Sequence, residues 1–139
     1  MATRAAVSTA GQPDGGAEML KSFTFVKMNP GLSRDEFFQR WCEHTRDWDL
    51  RDHPEISLNR LTLVEGDGPY AGIAENHWPD QQALDAAAAW YESSAGQEHW
   101  ADLSRFMDIE NSPTVVVTHE ADVSEADGIQ ILASPDTDS

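Results

Sequence analysis

The chain has 139 residues, 40% of them hydrophobic, enough apolar material for one small core and not for a second. Its 9 Lys plus Arg stand against 25 Asp plus Glu, a formal charge of −16 that repels phosphate backbones and anionic lipid and argues against nucleic-acid and membrane-surface roles. The single Cys42 excludes an internal disulfide and a thiolate metal cluster, and no run has signal-peptide or membrane-spanning length, so a soluble cytoplasmic protein is expected.

Residues 1–18 mix Ala, Gly, Ser, Thr and Pro without periodicity and are expected to form a disordered lead. Leu20 to Met28 is rich in β-branched and aromatic residues and stops at Asn29-Pro30-Gly31, which predicts a first strand and a turn. Ser33-x-x-Glu36 has capping-box spacing and opens a helix over about Arg34 to Trp48. His53-Pro54 breaks the continuation, and His53 is expected in a solvated loop. Ser57 to Glu65 and Tyr70 to Trp78 then read as a hairpin of two strands around Gly66-Asp67-Gly68-Pro69.

Gln81 to Tyr91 carries four consecutive alanines and reads as a helix, where the alanines serve either propensity or the need for space beside a cavity. Ser94-x-x-Gln97 starts a shorter helix with His99, Trp100, Leu103 and Phe106, and Thr114 to His119 is the last strand. Residues 121–139 form an acidic tail that is expected to be mobile, apart from a short apolar interruption at Ile129, Ile131 and Leu132. The folded unit is thus expected at 19–120.

This order, β-α-β-β-α-β, predicts an α+β ferredoxin-like sandwich: one four-stranded antiparallel sheet with helices on one face. Apolar side chains point both ways along Val115, Val116 and Val117, so the second sheet face needs a cover, which a homodimer supplies.

The stretch Asp35 to Trp48 reads DEFFQRWCEHTRDW. On a helix, Phe37, Trp41, His44 and Trp48 follow one another at steps of four, three and four and share a face. That face is either a core seam with one satisfied histidine or a pocket wall where a base meets an apolar substrate. His44 is the leading acid–base candidate, because imidazole titrates near neutral pH, and Asp47 could reach back to fix its tautomer. Glu75 and His77 share a face of strand three and are catalytic candidates if that face meets the first helix. If the face points elsewhere, Asn76 and Trp78 line the cavity instead. Trp41, Trp48, Trp78, Trp90 and Phe106 are candidate substrate-binding walls. His44, Glu75, His77, His99 and His119 could furnish two histidines and a carboxylate, but their spacing fits no compact motif, so no metal is expected. Cys42, beside Glu43, is expected to be inert.

The segments MLKSFTFVKMNPGLSRDEFFQRWCEH, YAGIAENHW and SSAGQEHWADLSRFMD resemble the EthD-domain family of the dimeric α+β barrel superfamily, over about Met19 to Glu120. The resemblance implies a homodimeric, cofactor-free enzyme of aromatic polyketide or catabolic metabolism. Reactions in that superfamily include cyclisation, dehydration, decarboxylation, isomerisation and oxygenation. The expected function is therefore a cofactor-free cyclase, dehydratase or isomerase of secondary metabolism, acting on a hydrophobic aromatic or polyketide-derived small molecule. The alternatives are a cofactor-free monooxygenase of phenols or anthrones, and a dimer that only binds such a molecule.

Overall fold

The computed structural model describes residues 19–133; the expected disordered lead, 1–18, and the last six residues lie outside the described residues. The chain runs β1 (Leu20–Val26), α1 (Arg34–His44), a π-helical turn (Thr45–Asp49), α2 (Leu50–Asp52), β2 (Leu58–Leu63), β3 (Gly72–Trp78), α3 (Gln81–Trp90), α4 (Ser94–Leu103), β4 (Thr114–Val117), β5 (Glu120–Ser124) and β6 (Gly128–Ala133). The first four of these strands form one antiparallel sheet in the order β2-β3-β1-β4. With α1 after β1 and α3–α4 after β3, this is the ferredoxin-like sandwich.

Local chemistry sets the helix starts. Ser33 Oγ accepts the Glu36 N–H at 3.1 Å, and Asp35 and Glu36 place negative charge at the positive end of α1. Asp80 caps α3 through the Ala83 N–H at 2.8 Å. The cap of α4 is Ser93, one residue earlier than the Ser94 expected from capping-box spacing, and its hydroxyl accepts the Gly96 N–H. Gln97 instead donates to the Tyr91 carbonyl at 2.7 Å, tying α4 to the end of α3.

Period-two alternation decides which residues meet the helices. On β1, Leu20, Ser22 and Val26 are buried on the helix side, while Lys21, Phe23 and Phe25 project from the other face. The core lies between sheet and helices in two clusters. One joins Val26, Phe37, Trp41, Leu103, Phe106 and Met107, and the other joins Leu20, Trp78 and Ala87. Gly72 at the start of β3 is required by this packing, since a Cβ there would run into the Trp41 indole.

Beyond β4, the described part of the expected tail has regular structure, while 134–139 lie outside the described residues. Residues 120–133 fold back as the antiparallel hairpin β5–β6, pairing Val123 with Ile129 and Ala121 with Ile131. Gly128, at φ +70°, supplies the left-handed residue that follows the turn. Among the described residues, no helix is long and apolar enough to cross a membrane.

Candidate active site

Between sheet and helices lies a cavity of about 410 Å³, within the range of small-molecule sites. Its floor is polar: Ser22 and Thr24 of β1, Asn76 of β3 and Thr114 of β4 face it. The Ser22 hydroxyl accepts the Trp78 indole N–H at 3.0 Å, and the hydroxyls of Thr24 and Thr114 lie 2.7 Å apart. Trp41, Trp78, Tyr91 and Trp100 form apolar walls, and Ala87 and Ala88 also line it, the use for small side chains that the alanine run allowed.

A buried histidine pair forms one end. His44, from the last turn of α1, and His99, from α4, are 3% and 1% exposed, so both are desolvated. Their Nε2 atoms stand 3.0 Å apart. His44 Nδ1 lies 2.7 Å from Asp102 Oδ2, and His99 Nδ1 lies 2.9 Å from Asp52 Oδ2. His99 Nε2 also meets Asp49 Oδ1 at 2.9 Å, and the same oxygen is 3.7 Å from His44 Nε2. Both outer carboxylates are anchored by arginines: Arg105 bonds Asp102 at 2.7 Å, and Arg51 bonds Asp52 at 2.8 Å.

These surroundings push the two imidazoles in opposite directions. Burial lowers the pKa of His44, against the opposing pull of Asp102 and Asp49. Burial acts downward on His99 too, but its hydrogen bonds with Asp49 and Asp52 outweigh it and raise the pKa. The Arg51 guanidinium, with help from His99, holds Asp52 down at about 2. Burial acts upward on Asp102, yet the bonds with His44 and Arg105 keep its pKa below the ordinary value. Of the two, His99 is thus the ring whose charged form its surroundings favour more, and its Nε2 lies within reach of both His44 Nε2 and the Asp49 carboxylate.

A helical irregularity assembles this group. After His44 the helix widens into the π turn Thr45–Asp49. In a π turn residue i+5, rather than i+4, comes round beneath residue i, and such turns concentrate at functional sites. Asp49, five after His44, is therefore brought to the histidine pair. Trp48, four after His44, is carried toward the outside, where it is half-buried, stacks on His44 at 6.0 Å and lies under the Arg51 guanidinium at 4.7 Å.

Among the residues expected from sequence, His44, Trp41 and Trp78 are gathered at the cavity. Trp48 and Phe106 instead line a smaller crevice of about 110 Å³ that meets His44 from outside, together with Asp102 and Arg105. Trp90 packs beside the histidine centre, 5.2 Å from His53 and 5.8 Å from His99 between ring centres. Glu75 and His77 do not join His44. They project from the opposite sheet face, because the strand's alternation sends Ala74, Asn76 and Trp78 to the cavity. There His77 Nε2 and Glu75 Oε2 form their own pair at 2.7 Å, flanked by Arg60.

Asp47, expected to orient His44, pairs with its neighbour Arg46, and Asp102 takes that position. His53 is not solvated: it is 4% exposed, lines the cavity, and its Nε2 is 2.8 Å from the Tyr91 hydroxyl. Burial lowers the His53 pKa and raises that of Tyr91, keeping both neutral. Cys42 is exposed, and partial desolvation of its thiol with the nearby Glu43 charge raises its pKa, which leaves little reactive thiolate.

Fold and cavity define a ferredoxin-like α+β protein with a buried histidine pair held by carboxylates. No protein-family model matches the chain, and no curated protein matches it. Solved structures share the fold at low identity. SnoaB, a cofactor-independent oxygenase from Streptomyces nogalater, superposes with a TM-score of 0.55 at 16% identity, covering 78% of this chain and 100% of that one. A dimeric protein of unknown function and ferredoxin-like fold from Bacteroides fragilis gives 0.51 at 10% identity, covering 71% and 94%. The hydroxynitrile lyase from Passiflora edulis gives 0.52 at 10% identity, covering 73% and 93%.

Proposed function

We propose that this chain is a homodimeric enzyme, of the EthD type that its motifs resemble, which transforms a hydrophobic aromatic or polyketide-derived small molecule through acid–base chemistry at His44. The observation that carries the reading is the position of His44, at the wall of the 410 Å³ cavity with an ordering carboxylate behind its ring. The tautomer follows from the contacts. Ionised Asp102 accepts the Nδ1–H, so Nε2 is the lone-pair nitrogen on the inner side of the ring.

His44 also borders the outer crevice, where the carboxylate of Asp102 is partly exposed at 18%. It therefore stands between the outer crevice and the cavity and can pass a proton from one to the other. His99, whose Nε2 lies beside His44 Nε2 and Asp49 Oδ1, is placed to share a proton with His44 as the reaction proceeds. Trp41, Trp78, Tyr91 and Trp100 hold a flat substrate, and the polar floor at Asn76 and Thr114 offers its oxygens hydrogen bonds. Cyclisation, dehydration and isomerisation can each be served by such a set of parts.

The same fold carries an oxygenase in SnoaB and a lyase in the Passiflora protein, so reaction type is decided by experiment. The test is incubation of the chelator-treated chain with metabolite extract, with and without oxygen, followed by mass analysis and compared with His44→Ala. A product of unchanged mass or one lacking water, independent of oxygen and at least about a hundredfold slower in the variant, is expected. Gain of oxygen moves the reading to the monooxygenase. No mass change leaves a binding protein.

A further inference from the structure

We propose that His44 Nε2, His99 Nε2 and Asp49 Oδ1 form a binding site for a divalent transition-metal ion. This goes beyond the acid–base reading, in which a proton fills the same point. All five histidines of the chain lie within the described residues, and among those residues His44, His99 and Asp49 are the group whose donor atoms converge.

The donors already stand at ligand spacing. They are separated by 3.0 Å between the two Nε2 atoms, 2.9 Å from His99 to Asp49, and 3.7 Å from His44 to Asp49. Ligands about 2.1 Å from one ion lie roughly 3.0 to 3.4 Å apart at right to tetrahedral angles, and somewhat further at wider ones. A triangle of these dimensions has its corners about 1.9 Å from a common centre, so such an ion sits roughly 1 Å out of the donor plane with its remaining positions open. All three residues line the cavity, so a molecule held there comes within reach of those positions.

The carboxylates behind the rings point the same way. Metal-binding histidines typically donate their second N–H to a carboxylate, which fixes the ring and makes the ligating nitrogen more basic. Both rings have this arrangement, with Asp102 behind His44 and Asp52 behind His99, and each carboxylate is gripped by an arginine. With both carboxylates ionised, each Nδ1 carries the hydrogen and each neutral ring turns an acceptor inward. Two nitrogen lone pairs and a carboxylate oxygen then face one another at close range, and they repel unless a positive species lies among them. That species is a proton in one state of the centre and a metal ion in the other.

The donor set selects the class of ion. Two imidazoles with one carboxylate suit first-row transition ions such as Fe²⁺, Co²⁺ and Zn²⁺, whereas Mg²⁺ and Ca²⁺ favour all-oxygen sites. The formal charge of −16 draws cations to the molecule. An ion here occupies His44 Nε2, so the metal-loaded and proton-transferring states exclude each other.

The experiment is titration of Co²⁺ into the chelator-treated full chain, read by visible absorption and calorimetry, followed by displacement with Zn²⁺. One Co²⁺ per chain is expected. The near-isosteric Asp49→Asn and the His99→Gln variant, each checked for folding by circular dichroism, should weaken binding by about a hundredfold, and Asp52→Asn by about 10–100-fold. His119→Ala, on an exposed loop, should leave it unchanged. Absence of saturable binding, or binding that survives intact in Asp49→Asn and His99→Gln, overturns the inference. A chain that turns substrate over through His44 yet takes no ion overturns it alone. A chain that takes the ion at these residues and shows no His44-dependent chemistry overturns the acid–base reading alone.

Discussion

Asp102 is the residue whose role separates a working histidine from a merely packed one. It touches His44 Nδ1 and not the cavity, so it acts as a positioning residue. Asp102→Asn keeps the shape but lets the side-chain amide donate to Nδ1, which drives the hydrogen to Nε2 and reverses the tautomer. The expected result is a turnover loss of about 10–100-fold with little change in KM, together with inverted nitrogen shifts of the His44 ring in an NMR spectrum. A purely structural aspartate would lower stability and leave the ring tautomer as it was. The sequence pointed to His44 because of its aromatic neighbours on one helix face. It hid Asp102 and His99, which lie 58 and 55 residues away and reach His44 only through the packing of α4 on α1.

Elements were more legible than their junctions. Ser33, Asn29-Pro30-Gly31 and the alternation along β1 and β3 each state local chemistry, and the observed strands and helices follow them closely. The π turn at Thr45–Asp49 was not legible, because a 3.6-residue period assumes a regular helix. That one extra residue per turn moved Trp48 outward and brought Asp49 in. Nor could alternation along β3 say which of its two faces was which, and the structure gives Asn76 and Trp78 to the cavity and Glu75 with His77 to the other side. The hairpin β5–β6 shows in the sequence only as the apolar interruption at Ile129, Ile131 and Leu132, because its apolar residues are few and surrounded by acids. At this scale the tight crossing of α1 over β3 gives a direct prediction. Gly72→Ala forces a methyl group against the Trp41 ring and should cost about 1–3 kcal/mol in a denaturant titration. Unchanged stability would mean that Trp41 is free to move, and that the cavity wall is softer than described.

At the scale of the whole molecule, the sheet has one face under helices and one without them. On the uncovered face Phe23 pairs with Val115, and Phe25 with Ile73, giving an apolar patch rimmed by Lys21, Glu75 and His77. Val115 is 46% exposed, more than a core strand residue normally is, and a second copy of the sheet is the cover proposed for it. Val115→Glu should turn a dimer into a monomer in sedimentation while the helix-side cavity stays formed; a native chain that sediments as a monomer would contradict the dimer. The placement of the site on the helix side of the sheet is the central claim, and turnover of one substrate by four chains tests it most directly. The account predicts that His44→Ala and His99→Ala each lose about a hundredfold or more, while Glu75→Gln with His77→Ala together stays near the native rate. Loss in the double variant with retention in His44→Ala would place the chemistry on the opposite face and contradict the account.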